Sequence, residues 1–336
     1  MLRISLILLL LLALSACNEV PSEKVVSLKL QHPPSDADWQ RAAVHRISVV
    51  GGRPHKEILF PDIDQDMVHT STASCHHGAA LPEPITVEVR SFYTDSQLYL
   101  QLKWPDATAD RQIRQWRYNG ESWQTSNAME DGFGILWPGK RKPEKFSCAR
   151  ACHLDDFGVQ GARFHAQNRM KLAGTDTRFD LWNWRAERTG RFGFADDRYL
   201  DQEGMHGDLP GELFRENSRA VLQENGLKAF ADGDQPVYDQ EGEPFAGRFI
   251  PAGSTAPGYL TELPSGDRAD ISAHSEHVDG HWVVTLRRAL QTGSPRDVQF
   301  SSGQEFAFGL SVMDNTLYDH YASKYEESLL LVAEDD

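Results

Sequence analysis

Cysteine is scarce in this chain: four among 336 residues, at Cys17, Cys75, Cys148 and Cys152. Four thiols are too few for the dense disulfide framework that holds a small secreted domain together. Positive charge is also short, with 34 Lys and Arg against 49 Asp and Glu and a formal charge of -15. So acidic a surface argues against nucleic acid as a partner and against surface binding to anionic lipid. Long apolar runs are missing too: Leu6 to Leu14 falls well short of the roughly 20 residues a membrane-spanning helix needs. No G-x-S-x-G, P-loop or dinucleotide fingerprint occurs. The paired acids Asp155-Asp156 and Asp196-Asp197 have no nucleophile or fitting general base beside them, so the chain is not expected to be an enzyme.

What is present begins at the amino terminus. Met1 to Ala16 carries one positive charge, Arg3, then the short apolar run, then small residues, the pattern of a signal peptide. Leu14-Ser15-Ala16-Cys17 resembles the lipobox of bacterial lipoproteins. That resemblance implies cleavage before Cys17, lipid on Cys17, and a location on the periplasmic side of a bacterial membrane; the alternative is an ordinary secreted protein. Several acyl chains at about 0.8 kcal/mol per buried CH₂ anchor a protein firmly. Residues 17–29 are expected to be a polar tether. Export places the chain in an oxidising compartment. With Cys17 lipidated, three thiols remain and cannot all pair.

Two of those thiols lie in Phe146-Ser147-Cys148-Ala149-Arg150-Ala151-Cys152-His153. C-x-x-C-H is the attachment signal of a c-type haem: the thiols bond the porphyrin and the His ligates iron. Here the spacing is C-x-x-x-C-H, and positions i and i+4 share a helix face as i and i+3 do. The alternatives are a local disulfide, a partial zinc site or two unremarkable thiols. A disulfide needs Cβ atoms about 3.8 Å apart, closer than a regular helix places them. A second cluster, Thr72-Ala73-Ser74-Cys75-His76-His77-Gly78, resembles a C-x-x-C-H site whose first Cys is Thr72. Cys75 with His76 would hold a second haem through one thioether, or Cys75, His76, His77 and His69 would hold zinc, or the stretch is inert. His274, His277 and His281 surround a hairpin and read as surface residues, with a metal site as the weaker alternative.

Ile85, Val87 and Val89 alternate with polar residues, Thr94-Asp95-Ser96 supplies a turn, and Leu98, Leu100, Leu102 and Trp104 alternate again. This predicts a β-hairpin with one buried face. A third strand is predicted from Gly132 to Trp137, stopped by Pro138. Ile271 to His277, the turn Asp279-Gly280 and Trp282 to Leu286 predict a second hairpin. Phe306 to Val312 and Ser328 to Val332 are the last expected strands. Many strands, few helices and no βαβ rhythm predict a mainly β fold, an antiparallel β-sandwich with short helices. One domain is expected over residues 30–336, with a long irregular insertion at about 201–267, which is rich in Gly, Pro and charge.

Asp180-Leu181-Trp182-Asn183-Trp184-Arg185-Ala186-Glu187-Arg188-Thr189, followed by Gly193-Phe194-Ala195-Asp196-Asp197-Arg198-Tyr199, resembles a D-L-W-x-W-[KR]-A-x-R-T…G-[FY]-A-D-D signature. That signature belongs to the haem-binding domain of ethylbenzene dehydrogenase gamma subunits and their cytochrome relatives. The hairpin at Trp104 and the strands at Trp282 to Leu290 and Phe306 to Asn315 stand in the family's order, so the resemblance covers roughly residues 26–331. It implies a sandwich with haem at one end and a role in electron transfer. In the cytochrome branch a C-A-x-x-C-H stretch precedes the D-L-W-x-W segment, where Cys148, Cys152 and His153 stand; this implies one haem c there. Several multihaem members attach a haem in the region of Cys75 and His76, which makes a second haem the alternative. A D-[DN]…H-x-x-S arrangement, matched by Asp314-Asn315, His320 and Ser323, implies His320 as the second axial ligand, with Lys324 and Met313 as alternatives. The gamma subunit itself uses a Met and a Lys, and this sequence departs from that pattern. At least one of Trp182 and Trp184 is expected to be a core aromatic, and one to pack against the porphyrin. The expected function is that of a membrane-anchored periplasmic c-type cytochrome serving a redox partner protein or a larger oxidoreductase complex. The alternative is a zinc-binding or haem-free ligand-binding lipoprotein of the same fold.

Overall fold

A computed structural model describes residues 23–50, 83–126, 128–139, 172, 178–209, 211–224, 233–315, 321–323 and 325–333. The chain enters through β1 (Val25–Lys29), helix α1 (Asp36–Arg41) and β2 (His45–Val50). Ser35 starts α1 with a capping box: its hydroxyl accepts from the Asp38 N–H while the Asp38 carboxylate accepts from the Ser35 N–H. Next come β3 (Ile85–Tyr93) and β4 (Gln97–Pro105), the predicted first hairpin, with Glu88 opposite Lys103 and Tyr93 opposite Leu98. Short β5 (Trp116–Tyr118) and β6 (Trp123–Thr125) precede β7 (Gly132–Pro138) and β8 (Phe179–Arg185), an antiparallel pair. Then follow β9 (Asp196–Leu200), β10 (Met205–Gly207), β11 (Phe214–Glu216), helix α2 (Arg219–Glu224), β12 (Thr255–Ala256) and β13 (Tyr259–Thr261). The chain closes with β14 (Ser272–Val278), β15 (His281–Ala289), β16 (Glu305–Met313), β17 (Tyr321–Ser323) and β18 (Glu327–Leu331). The β14–β15 turn has the positive φ at both Asp279 (50°) and Gly280 (69°) that a tight hairpin of this kind requires.

The fold is a mainly β sandwich. One face runs β10-β9-β8-β7-β16 and the other β2-β3-β4-β15-β14, joined through β17 between β16 and β2. A second junction closes the same edge: β18 pairs with the first half of β16, and β1 lies between β18 and β3. Trp104 of β4, Phe133 of β7, Trp184 of β8 and Trp282 of β15 meet between the faces, Trp184 lying 5.1 Å from Trp282 and 5.6 Å from Phe133. Trp182 instead joins Trp137 and Phe300, at 5.1 Å from Trp137. Both tryptophans of the D-L-W-x-W string are therefore core side chains, each able to contribute a few kcal/mol through burial.

One boundary moves. Residues 25–29, expected within the tether, form β1, parallel to both of its neighbours. Val25 fits the inward alternation, but the next inward position is Ser27, whose hydroxyl accepts from Ser91 in the buried seam. A polar residue at an inward position hides the period-2 pattern on which strand assignment from sequence depends. In the expected insertion, β10 extends the main sheet beside β9, and β12 pairs with β5.

The registers define two ends. At one, Val50 follows Val49, which faces Ile85, while Gly132 faces both Met313 and Arg185. Val312 faces Tyr321 and His281 faces Pro105 at that same end. At the other, Pro138 faces Phe179, Tyr93 faces Leu98 and Ala289 faces Gln97.

Candidate functional site

Cys17, Cys75, His76, Cys148, Cys152, His153, His320 and Lys324 lie outside the described residues. The described strand ends nearest Cys148–His153 in the chain, Pro138 and Phe179, stand at the second end; those nearest Cys75–His76, Val50 and Ile85, and those nearest His320, Met313 and Tyr321, stand at the first. Met313 is described and buried, packed against Gly132, where an added Cβ would come within 3.2 Å of the Met313 methyl. His274 is exposed beside Glu276, the His277 Nε2 donates to the Asp106 carbonyl at 3.0 Å, and the Nδ1 of the half-buried His281 donates to the Asp279 carbonyl at 2.8 Å. The three do not converge on one point.

The string that carries the family resemblance turns out to be an ion network. Asp180 of D-L-W and Asp197 of A-D-D meet Arg288 of β15 and Asp297, all buried. Arg288 Nη2 lies 2.7 Å from Asp297 and 3.5 Å from Asp180, and its Nε lies 3.7 Å from Asp197. Burial pulls the guanidinium pKa down, but the three carboxylates outweigh that and raise it. Burial, only partly offset by Arg288, pushes Asp180 up to about 7; burial and a hydrogen bond with Asp297 push Asp208 up to about 8. The other Asp of A-D-D, Asp196, takes Arg268 on both oxygens, at 2.7 and 3.1 Å, together with Arg198 at 2.9 Å. Arg188 of A-x-R-T pairs with the fully buried Glu130, which also accepts from the Glu187 and Arg188 N–H groups. The Thr189 hydroxyl accepts from the Arg185 N–H.

A second triad stands at the first end: Asp106 after β4, Asp131 before β7 and Asp314 after β16, one carboxylate oxygen from each lying within 4.8 Å of the others. Burial and the neighbouring Asp131 push Asp106 up to about 7, and burial pushes Asp131 up to about 6. Burial and then Asp110 raise Asp314. No Lys, Arg or His among the described residues forms an ion pair with any of the three. Sequence spacing gave no sign of this group, because its members come from three strand ends far apart in the chain.

Near the insertion, a cleft of about 520 Å³ is lined by Arg188, Arg198, Arg268, Arg296, His206 and Asp208, among others. Most of its positive charge is already engaged by Asp196 and Glu130.

The family description "Ethylbenzene dehydrogenase" matches residues 36–324. The chain belongs to the ethylbenzene dehydrogenase family. No curated protein matches it. Among solved structures, a candidate carbohydrate-binding protein from Bacteroides uniformis is similar at TM-score 0.36 and 10% identity, over 91% of this chain and 97% of that one. A family 9 carbohydrate-binding module from Caldicellulosiruptor kristjanssonii in complex with glucose is similar at TM-score 0.34 and 7% identity, over 93% and 97%. At such scores the sugar ligands of those proteins are not transferred to this chain.

Proposed function

We propose that this member of the ethylbenzene dehydrogenase family is an exported, lipid-anchored c-type cytochrome that carries electrons on the periplasmic side of a bacterial membrane. The observation that carries the reading is the Cys148-Ala149-Arg150-Ala151-Cys152-His153 stretch, set between β7 and β8 of a chain of this family. Cys148 and Cys152 would hold the porphyrin by thioether bonds and His153 would ligate iron; the bound haem supplies one-electron chemistry. The interior between the faces is filled by Trp104, Trp184, Trp282 and Phe133, so the haem belongs at an end, on the connections. The acidic charge of -15 suits docking to a basic redox partner or oxidoreductase complex, with rates that fall as salt rises. The protein would make and break no bonds in a substrate.

His320 remains the proposed second axial ligand. The described strand ends on either side of it, Met313 and Tyr321, and those on either side of His153, Pro138 and Phe179, stand at opposite ends, and β7, with seven residues, spans about 23 Å at 3.3 Å per residue. The fifteen steps from Pro138 to His153 reach about 50 Å when extended, so the chain length suffices. The buried packing of Met313 weighs against it as the alternative. A second reading is favoured by the departure of both other connections from one end: His76 and His320 would then share a second metal, a haem iron tethered by Cys75 or a zinc ion. The test is a haem stain of the denatured, full-length protein made with the cytochrome maturation machinery. Stain lost in the Cys148→Ser/Cys152→Ser variant supports the reading; a colourless wild-type protein overturns it.

A further inference from the structure

The triad at the first end joins strands of both faces: Asp106 extends β4, while Asp131 and Asp314 border β7 and β16. Two of its carboxylates, Asp131 and Asp106, are held by hydrogen bonds before any ligand arrives. Asp131 Oδ1 accepts from the Asn315 N–H at 2.9 Å, and its Oδ2 accepts from the Asp110 N–H at 2.7 Å and from Trp282 Nε1 at 2.9 Å. Asn315 adopts a φ of 47°, and its side-chain oxygen accepts from the Met129 N–H, which fastens the turn that presents Asp314. Asp106 Oδ1 accepts from the Thr108 N–H at 3.0 Å. Its other oxygen, Oδ2, is buried and has no hydrogen-bond partner among the described residues, on a residue only 5% exposed. A buried carboxylate oxygen without a described donor, on a side chain with two further carboxylates within 4.8 Å of it and no described base paired with it, is an unmet demand for positive charge.

We propose that Asp106, Asp131 and Asp314 bind one hard divalent cation, calcium in preference to magnesium. Donors that are all oxygen select hard ions over zinc or copper. Oxygens on opposite sides of a calcium ion bound at 2.3–2.6 Å lie about 4.6–5.2 Å apart, so donors within 4.8 Å of one another can share one ion. Magnesium, at about 2.0–2.1 Å, demands a near-ideal octahedron and gives up its waters reluctantly, whereas calcium accepts irregular sets of carboxylates. The ion neutralises the carboxylates and clamps β4 of one face to β7 and β16 of the other. The site is independent of the haem reading.

The full-length protein is stripped with EDTA, then titrated with calcium chloride by calorimetry and followed by thermal unfolding. Terbium serves as a luminescent probe, excited through Trp282, which bonds Asp131 directly. The expected result is one calcium per chain, a rise in melting temperature, and terbium emission that calcium displaces. Asp314→Asn, at an exposed position, folds normally and weakens calcium at least tenfold, and Asp106→Asn abolishes saturable binding. Absence of saturable binding at millimolar calcium overturns the proposal, as does binding unchanged in Asp314→Asn, which decides the matter even if Asp106→Asn fails to fold. Magnesium binding more tightly than calcium overturns the preference.

Discussion

Two groups of three aspartates occupy opposite ends of one sandwich, and they meet the same electrostatic difficulty in different ways. Asp180, Asp197 and Asp297 enclose Arg288, a cation supplied by the chain itself, with Nη2 2.7 Å from Asp297. Asp106, Asp131 and Asp314 enclose no cation among the described residues, and one oxygen of Asp106 has no hydrogen-bond partner among them. A protein can neutralise buried carboxylates with a permanent side-chain charge or with an exchangeable ion. The first solution is always present; the second makes stability depend on what the surroundings contain.

The largest expected effect tests the internal cation. Arg288→Met removes the guanidinium and leaves Asp180, Asp197 and Asp297 buried together, so stability should fall by about 3–5 kcal/mol, as when one partner of a buried ion pair is lost. Urea unfolding measures this, and a loss under about 1 kcal/mol would erase the distinction between the ends. Next in size is a pair of substitutions with opposite signs. Asp297→Asn takes a carboxylate from Arg288 and should cost about 1–3 kcal/mol. Asp106→Asn, in protein stripped of divalent ions, relieves crowding among like charges and should leave stability equal or higher, by up to about 1–2 kcal/mol. Losses of equal size in both variants would break the comparison.

The two hairpins were legible in the sequence because their patterns are local. Leu98, Leu100, Leu102 and Trp104 alternate inward along β4, and Asp279-Gly280 has the positive φ angles that its dipeptide implies. β1 was hidden by Ser27 at an inward position, and the β17–β2 junction by the brevity of β17. The family string was legible as a string, but its work was not. Asp180 and Asp197 read as paired acids or signature letters until Arg288, about a hundred residues further along the chain, closes the network. The same holds for Asp106, Asp131 and Asp314: no spacing rule links three strand ends brought together only by the sandwich. The cysteine and histidine motifs show the reverse case, plain in sequence and outside the described residues.

A smaller effect comes from pH. Asp180 and Asp208 have folded pKa values of about 7 and about 8, raised above the ordinary 3.8. The folded state therefore holds protons that the unfolded state has released, and this cluster's contribution falls as pH rises through 7 and 8. Melting temperature should decline from pH 6 to pH 9, and Asp208→Asn should flatten that decline. A melting temperature rising over this range in the wild-type protein would contradict the sign.

The haem assignment at Cys148, Cys152 and His153 bears the functional account, and the intact mass of the mature protein tests it most directly. The expected mass is that of the polypeptide beginning at Cys17, its lipid and at least one porphyrin, with that porphyrin lost when Cys148 and Cys152 are both serine. A wild-type mass without porphyrin, from cells that mature other c-type cytochromes, would contradict it.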